Sequence, residues 1–264
     1  YDLQIWLDDM QISFAFVSAL KIKRSLGIRR GKNDAVDALR IAEYAYIRRE
    51  SISLSHKPSD VIFQLRALLG ERKQYVRMRA ALLARKDALH QYESKESIYR
   101  REEIIDKYAE YIASVDKQMR GLMEHDDEIK RNYELISSVK GIGLVNAINT
   151  LVYTNNFTSF QTPRQYACYC GIAPFEHTSG TSIKGRTAVS KMGNQQLKCE
   201  LTMAARSAII HDPWMKQYYK RKMMSKGNAP GAHGIVLNAI KFKLIVRMFS
   251  VVKSGIPYKV MAYC

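Results

Sequence analysis

The sequence has few of the features that mark secreted or membrane proteins. It contains four cysteines: Cys168, Cys170, Cys199 and Cys264. They form no CxxC pair and no regular ladder, which excludes a disulfide scaffold and makes a zinc ribbon a poor interpretation. The most apolar stretch, 235–252, is interrupted by Lys241, Lys243 and Arg247, so no segment suits a bilayer. We therefore expect a globular cytoplasmic protein with no membrane partner.

Acidic residues are scarce in the second half of the chain. Residues 136–264 contain 17 Lys or Arg but only three Asp or Glu, whereas residues 1–135 contain 25 and 22. The formal charge of +17 therefore divides into +14 and +3. A cationic surface can serve solubility alone, but this imbalance favours nucleic acid as the partner. Ten of the 14 glycines also follow residue 135, where we place a domain boundary.

The first half predicts long helices. Apolar residues recur every three, four or seven positions in 60–93 and 102–129, with a polar turn at 94–101 between them. Two such helices cannot bury their apolar stripes alone, so the pattern predicts an antiparallel hairpin or an intermolecular coiled coil. We divide the chain into an N-terminal part (1–55), a helical stalk (56–135) and a basic C-terminal domain (136–264).

The N-terminal part reads as the end of an α/β layer. An apolar run at 12–20 is followed by a helix at 33–49, for which Asn33 or Asp34 is the expected N-cap. Its apolar side should be buried: Ala35, Val36, Leu39, Ile41, Ala42 and Ala45. Asp34 and Asp37 share one helix face and could ligate a divalent cation together. From spacing alone, a cap and a dipole-stabilising carboxylate are the better interpretation.

Two glycine-containing segments of the basic half could contact phosphate. Gly141 and Gly143 form a GIG turn before a helix, which either grips DNA phosphates through free N–H groups or permits close packing. A hydroxyl-rich loop follows Pro174, with candidate hydroxyls at Ser179, Thr181 and Ser182. The cations in that segment are Lys184, Arg186 and Lys191. The loop either carries a nucleophilic serine or only binds phosphate, and composition does not separate the two.

Two helices are predicted in the same half. Thr162-Pro163 marks the start of a short helix that ends near Gly171. Further on, the segment HDPWMKQYYKRK interleaves aromatic residues with cations, including Lys220 and Arg221. This mixture suits phosphate contacts plus base stacking, and Trp214 with Tyr218 also suits a core-facing pair.

Four segments in order resemble one family. GKNDAVDALRIAEYA is similar to a helix of the DEDD-type insertion-sequence transposases, which are related to Piv invertases. SVKGIG, SGTSIKGRTAVSKMGNQQLK and IKFKLIVRMFSVVKSGIPY resemble successive segments of that family's C-terminal domain. Each motif alone is weak, but their order along residues 20–258 makes the resemblance specific.

The resemblance implies a mainly α chain: a partial RNase H-like (RuvC-like) remnant, a helical hairpin or coiled-coil stalk, and a helical transposase domain with a helix-hairpin-helix-like turn. It implies DNA strand cleavage and rejoining in a bacterial cytoplasm, with Ser179 as nucleophile and Asp34 and Asp37 as two of four acidic Mg²⁺ ligands. It also implies homodimers or homotetramers and, in some members, a structured guide RNA.

One departure bears on activity. The family's first two acids lie upstream of the helix that carries Asp34 and Asp37, and the early Asp8 and Asp9 do not match them. We therefore expect an N-terminally truncated chain with an incomplete metal site. Two alternatives remain open: a non-catalytic nucleic-acid-binding protein, and a metal-dependent nuclease of the junction-resolvase kind that uses water as nucleophile.

Overall fold

The structure is a computed structural model. It describes residues 2–25, 27, 33–55, 57–89, 92–179, 183–190, 192–227 and 229–260, with side chains throughout except at 2, 85–89, 176–179 and 183–188. The fold is mainly helical, as the sequence predicts. The chain divides into two compact units, Tyr1–Ser59 and Asp60–Cys264.

The first unit contains three described helices: α1 (Asp2–Asp9), α2 (Ala19–Ser25) and α3 (Asp34–Arg48). Asn33 caps α3 by accepting a hydrogen bond from the Val36 N–H at 2.8 Å, which confirms the predicted helix start. The predicted apolar run contributes one isolated bridge, Phe14 to Ser55, and then enters α2. The described residues of this unit form no sheet, so the RNase H-like remnant stays a prediction.

The predicted buried face of α3 is wrong for the described part of the chain. Leu39 and Ile41 are 65% and 56% exposed, and Tyr44 is the buried hydrophobic residue of the helix. Periodicity identified the helix, but nothing in the described residues covers Leu39 or Ile41.

The second unit holds eight described helices and one strand pair. In chain order they are α4 (Asp60–Leu89), α5 (Lys95–Met123), α6 (Asp127–Ser137), α7 (Leu144–Thr154), α8 (Pro163–Tyr169), β1 (Pro174–Ser179), β2 (Ile183–Val189), α9 (Gln195–His211), α10 (Pro213–Lys226) and α11 (Ala232–Ser254). Thr162 caps α8 in a capping box with Gln165, and Pro163 is its first residue, as predicted.

Helices α4 and α5 pack against each other in antiparallel orientation. Arg72 forms an ion pair with Asp116 at 2.6 Å, and the Tyr75 ring lies 5.4 Å from that of Tyr111. The expected turn at 94–101 is wrong, because Ser94 caps α5 at once and accepts a hydrogen bond from the Ser97 N–H.

The predicted end of the second long helix is also wrong. The sequence predicts a helix over 102–129, but α5 ends at Met123. Asp126 then caps α6 by accepting hydrogen bonds from the Glu128 and Ile129 N–H groups. The capping carboxylate starts a new helix where the apolar pattern alone continued the old one.

The core of the second unit is centred on α11. Ile240, Leu244 and Met248 are fully buried there, and α11 packs against α6, α8, α9 and α10. The boundary predicted near residue 135 falls inside α6, whose Ile136 belongs to the same cluster as Leu65 of α4. The division into stalk and C-terminal domain therefore stays a prediction. Among the described residues, no helix is long and apolar enough to cross a membrane.

Candidate nucleic-acid interface and serine hairpin

The segment that carries Ser179 is a β-hairpin and not the loop that the sequence suggested. Strands β1 and β2 pair antiparallel, with Ser179 opposite Ile183 and Thr178 opposite Lys184. The β-branched Thr, Ile and Val residues of the two segments favour this pairing. Ser179 is thus the last paired residue of β1, and Lys184 lies one pair further from the turn. Gly180, Thr181, Ser182 and Lys191 lie outside the described residues.

Backbone contacts fix the base of this hairpin. Gly171, with φ +65°, and Gly193 approach so closely that a Cβ on Gly193 would overlap backbone atoms of Gly171. The Asn194 N–H donates to the Tyr169 carbonyl at 2.8 Å, and the Asn238 side chain donates to the Ile172 carbonyl at 2.6 Å. The segments that enter and leave the hairpin are therefore held against each other and against α11.

The two glycines of the GIG turn have different surroundings. Gly141 has φ +97°, and a Cβ there would lie 2.7 Å from the Ala204 carbonyl oxygen and 2.8 Å from the Ala208 nitrogen. Close packing against α9 thus accounts for Gly141. Gly143 is exposed and is the N-cap of α7 without a side-chain cap bond. Phosphate binding at this helix start stays a prediction.

The two candidate metal ligands lie in the first turn of α3. Asp34 and Asp37 are both exposed, and Asp37 accepts a hydrogen bond from Arg40 at 3.1 Å. No group of three or more His, Cys, Asp or Glu side chains in the described part of the chain could hold a metal ion. Mg²⁺ prefers hard oxygen ligands in octahedral geometry, so two exposed carboxylates alone do not make up a magnesium site.

Aromatic residues and cations cluster where α10 meets α11. The Trp214 and Tyr218 rings stack with centroids 5.5 Å apart, and Arg221 lies over Tyr218 at 5.7 Å. Lys220 of the same helix is exposed. The core-facing interpretation of Trp214 and Tyr218 is confirmed, since Tyr218 is buried and Trp214 packs against the core. Phosphate contacts and base stacking by α10 stay a prediction.

The sequence interpretation missed the cations that α11 adds to this cluster. The Lys243 ammonium lies 4.7 Å from the Tyr218 ring centroid, and the Arg247 guanidinium lies 4.9 Å from that of Trp214. Burial, followed by repulsion from Arg247 and other nearby cations, lowers the pKa of Lys243. In the sequence, these cations were interpreted only as interruptions of an apolar segment. Lys243 and Arg247 are four positions apart, and this spacing could have indicated that they share one face of a helix.

Asp212 anchors this cluster to the core. Its fully buried carboxylate accepts hydrogen bonds from the Trp214 and Met215 N–H groups and thereby caps α10. The same carboxylate accepts from Arg247 at 2.6 Å and from the Tyr258 hydroxyl at 3.1 Å. One side chain thus ties α10, α11 and the segment after α11 together.

Glu200 makes a second polar link, half-buried, between α7 and α9. Its carboxylate accepts hydrogen bonds from the Asn149 side chain and, at 3.4 Å, from Gln196. Burial raises the pKa of Glu200 above its ordinary value of 4.5, against a smaller lowering by those two hydrogen bonds.

A stability profile against pH tests this burial. The folded carboxyl holds its proton more tightly than the unfolded one. The contribution of Glu200 to the free energy of unfolding is therefore complete below pH 4.5 and falls as pH rises through the folded pKa. Glu200→Gln should remove that fall, measured by urea unfolding at steps from about pH 4 to 7. Glu103→Gln, at an exposed position of α5, is the control. A Glu200→Gln profile parallel to the wild type would contradict the assignment.

The sequence is similar to those of known transposases and recombinases. A family model described as transposase IS116/IS110/IS902 family matches residues 133–220, and a transposase model of the DEDD IS110 type matches residues 1–92. The pilin gene-inverting proteins of Moraxella bovis and Moraxella lacunata are each 28% identical over 89% of this chain and 70% of their own length. An uncharacterized 43.6 kDa protein of insertion element IS110 from Streptomyces coelicolor is 29% identical over 59% of this chain and 38% of its own length.

Proposed function

We propose that the chain is a transposase of the IS110 family and that it cleaves and rejoins DNA through a serine nucleophile, Ser179. The observation that carries the proposal is the place of Ser179 as the last paired residue of β1, at the turn of a hairpin with an anchored base. This hairpin lies within the stretch matched by the first family model.

The proposed reaction is a transesterification. The Ser179 Oγ attacks phosphorus, loses its proton, and displaces a deoxyribose oxygen that gains one, which leaves the phosphate esterified to the serine. Attack by a hydroxyl of another strand reverses the step and frees Ser179. The number of phosphate esters stays constant, so rejoining requires no external energy source. Lys184 and Arg186 of β2, with Lys191, are proposed to hold the phosphate, because cations stabilise its added charge.

The matched DEDD-type model suggests a divalent metal cofactor. When bound, such a metal neutralises phosphate charge and activates an attacking or leaving oxygen. Asp34 and Asp37 are proposed as two of its ligands. Their exposed carboxylates lie on adjacent positions of one helix face, although Arg40 already binds Asp37.

Assembly and partners are also part of the proposal. Val76, Met78 and Leu83 are exposed hydrophobic residues along α4, which supports a homodimer or homotetramer formed through the α4–α5 pair. Gly143, Lys220 and Arg221 are proposed DNA contacts. A structured guide RNA is proposed from the family resemblance, and the +14 charge of residues 136–264 suits either polyanion.

Covalent trapping tests the serine. The protein expressed from the complete gene is incubated with a plasmid that carries the DNA flanking that gene, with Mg²⁺ or Mn²⁺, and protein–DNA adducts are resolved on a denaturing gel. We expect adducts from the wild type and from Ser159→Ala, an exposed serine elsewhere in the same unit, and none from Ser179→Ala. Adducts that persist in Ser179→Ala would disprove the assignment.

Two other outcomes favour the alternatives. Metal-dependent cleavage by the wild type with no adduct indicates water as the nucleophile, as in a junction-resolvase-like nuclease. Binding without cleavage under either metal indicates a non-catalytic nucleic-acid-binding protein.

A further inference from the structure

A groove of about 1500 Å³ runs along α11 between the start of β1 and helix α10. Its floor is apolar: Ile235 and Val246 are 43% and 39% exposed, and Phe242 is partly buried between them. Solvent-facing apolar residues on a helix that is otherwise at the centre of a core are costly to leave uncovered, so they indicate a binding surface.

The described lining of the groove is cationic and contains no acidic residue. Its basic members are Arg164, Lys198, Lys226, Lys241, Lys243 and Arg247. Lys241 and Lys243 are two positions apart on α11. At about 100° per residue they therefore lie on opposite flanks of the apolar floor. The groove thus has a cationic rim on each side.

Lys241 is the most informative of these cations. It is only 6% exposed, yet it forms no hydrogen bond or ion pair with any described residue. Burial, with Lys198 and Arg206 nearby, lowers its pKa. Its ammonium is not among the buried nitrogen atoms that lack a hydrogen-bond partner, so the apolar stem is buried while the charge reaches the groove, where a phosphate can meet it.

The opposite rim is held in place by aromatic rings. Lys243 lies over both Trp214 and Tyr218, and Arg247 lies over Trp214 and Tyr258 at 4.9 and 4.5 Å. Cation–π contacts restrict these long side chains, so less entropy is lost when a phosphate binds. Arg247 is already paired with Asp212, which makes Lys243 the main phosphate contact on this rim.

We propose that this groove binds single-stranded nucleic acid, with phosphates on the two rims and unpaired bases on the floor formed by Ile235, Phe242 and Val246. The proposal rests on the transposase function above, which supplies nucleic acid as substrate. A single strand fits better than a duplex, because a duplex keeps its bases stacked inside and would present phosphates to an apolar floor.

Equilibrium binding to labelled 20-nucleotide oligo-dT, oligo-rU and a 20-base-pair duplex tests the proposal in the whole chain. Lys241→Gln and Lys243→Gln should each reduce the slope of log affinity against log salt for single strands by about 0.7. Lys253→Gln, an exposed lysine of α11 outside the groove lining, is the matched control. Lys241→Gln should change the free energy of unfolding little, because Lys241 forms no hydrogen bond or ion pair with a described residue.

The floor is tested with an added acid. Val246→Glu should weaken single-strand binding by about tenfold or more, because it removes a base contact and repels phosphate. Ile210→Glu adds the same charge at an exposed position of α9 outside the groove and should have a smaller effect. Comparison of oligo-dT with oligo-rU identifies the strand type that the groove prefers.

Three results would overturn the proposal: groove variants that bind like their controls, duplex binding that is impaired as much as single-strand binding, or self-association without nucleic acid that Val246→Glu abolishes. The last would assign the floor to a second copy of the chain. If adducts form at Ser179 but the groove variants bind like their controls, only the proposal for the groove is disproved. If the groove variants weaken binding but no adducts form, only the proposal for the serine nucleophile is disproved.

Discussion

Asp212→Asn is expected to lower the free energy of unfolding by about 3 kcal/mol or more. Asparagine keeps an oxygen for the Trp214 and Met215 N–H groups, so the α10 cap can persist. The substitution removes the negative charge that pairs with Arg247 in a site where the Asp212 side chain is fully buried. Removing one partner of such a pair leaves the other charge uncompensated. Urea unfolding followed by far-ultraviolet circular dichroism measures the loss.

Asp126 offers a matched control for this prediction. It caps α6 through the same pair of N–H bonds, to Glu128 and Ile129, but makes no ion pair in the described structure. Asp126→Asn should therefore cost less than about 1 kcal/mol. Equal losses at the two positions would mean that the ion pair adds nothing beyond the cap. A double-mutant cycle with Arg247→Met then measures the coupling between Asp212 and Arg247.

Gly193→Ala is expected to be at least as damaging, with a loss of about 3 kcal/mol or more. The added Cβ would overlap the Cα and N atoms of Gly171, and neither partner is the flexible end of a side chain that could turn away. Backbone must shift at the base of the hairpin, so formation of the proposed Ser179 adduct should fall as well. Thermal unfolding and the adduct assay measure the two effects.

Gly70→Ala is the control for that substitution. Gly70 lies inside α4, and a Cβ there meets no atom within 4 Å. Alanine should therefore raise the free energy of unfolding by about 1 kcal/mol through helix propensity. An unchanged midpoint of thermal unfolding in Gly193→Ala would show that the base of the hairpin tolerates a backbone shift, and would contradict the prediction.

Features set by local chemistry could be predicted from the sequence. Asn33 and Thr162 were identified as cap positions because a cap depends on a side chain and backbone groups two or three residues away. The start of α5 depends on the same chemistry at Ser94, but the polar residues after it masked the signal. The α4–α5 pair followed from apolar periodicity over many turns.

Features set by distant contacts could not be predicted. The groove depends on α10 lying against α11, which places Lys243 over Trp214 across 29 positions of the chain. The packing role of Gly141 depends on α9, more than 60 residues later. The exposure of Leu39 depends on what covers α3, which amphipathicity does not state. The family resemblance could be found from the sequence, because four ordered motifs carry more information than any one of them.

The position of α11 has a consequence for synthesis of the protein. Ile240, Leu244 and Met248 form the centre of the core, and the Tyr258 N–H donates to the Ser138 hydroxyl across 120 positions. Helices α6 to α10 therefore leave the ribosome before the helix that covers their apolar faces. Folding of this unit must wait until α11 emerges. A frameshift late in the gene would consequently remove the whole unit, and not only its last helix.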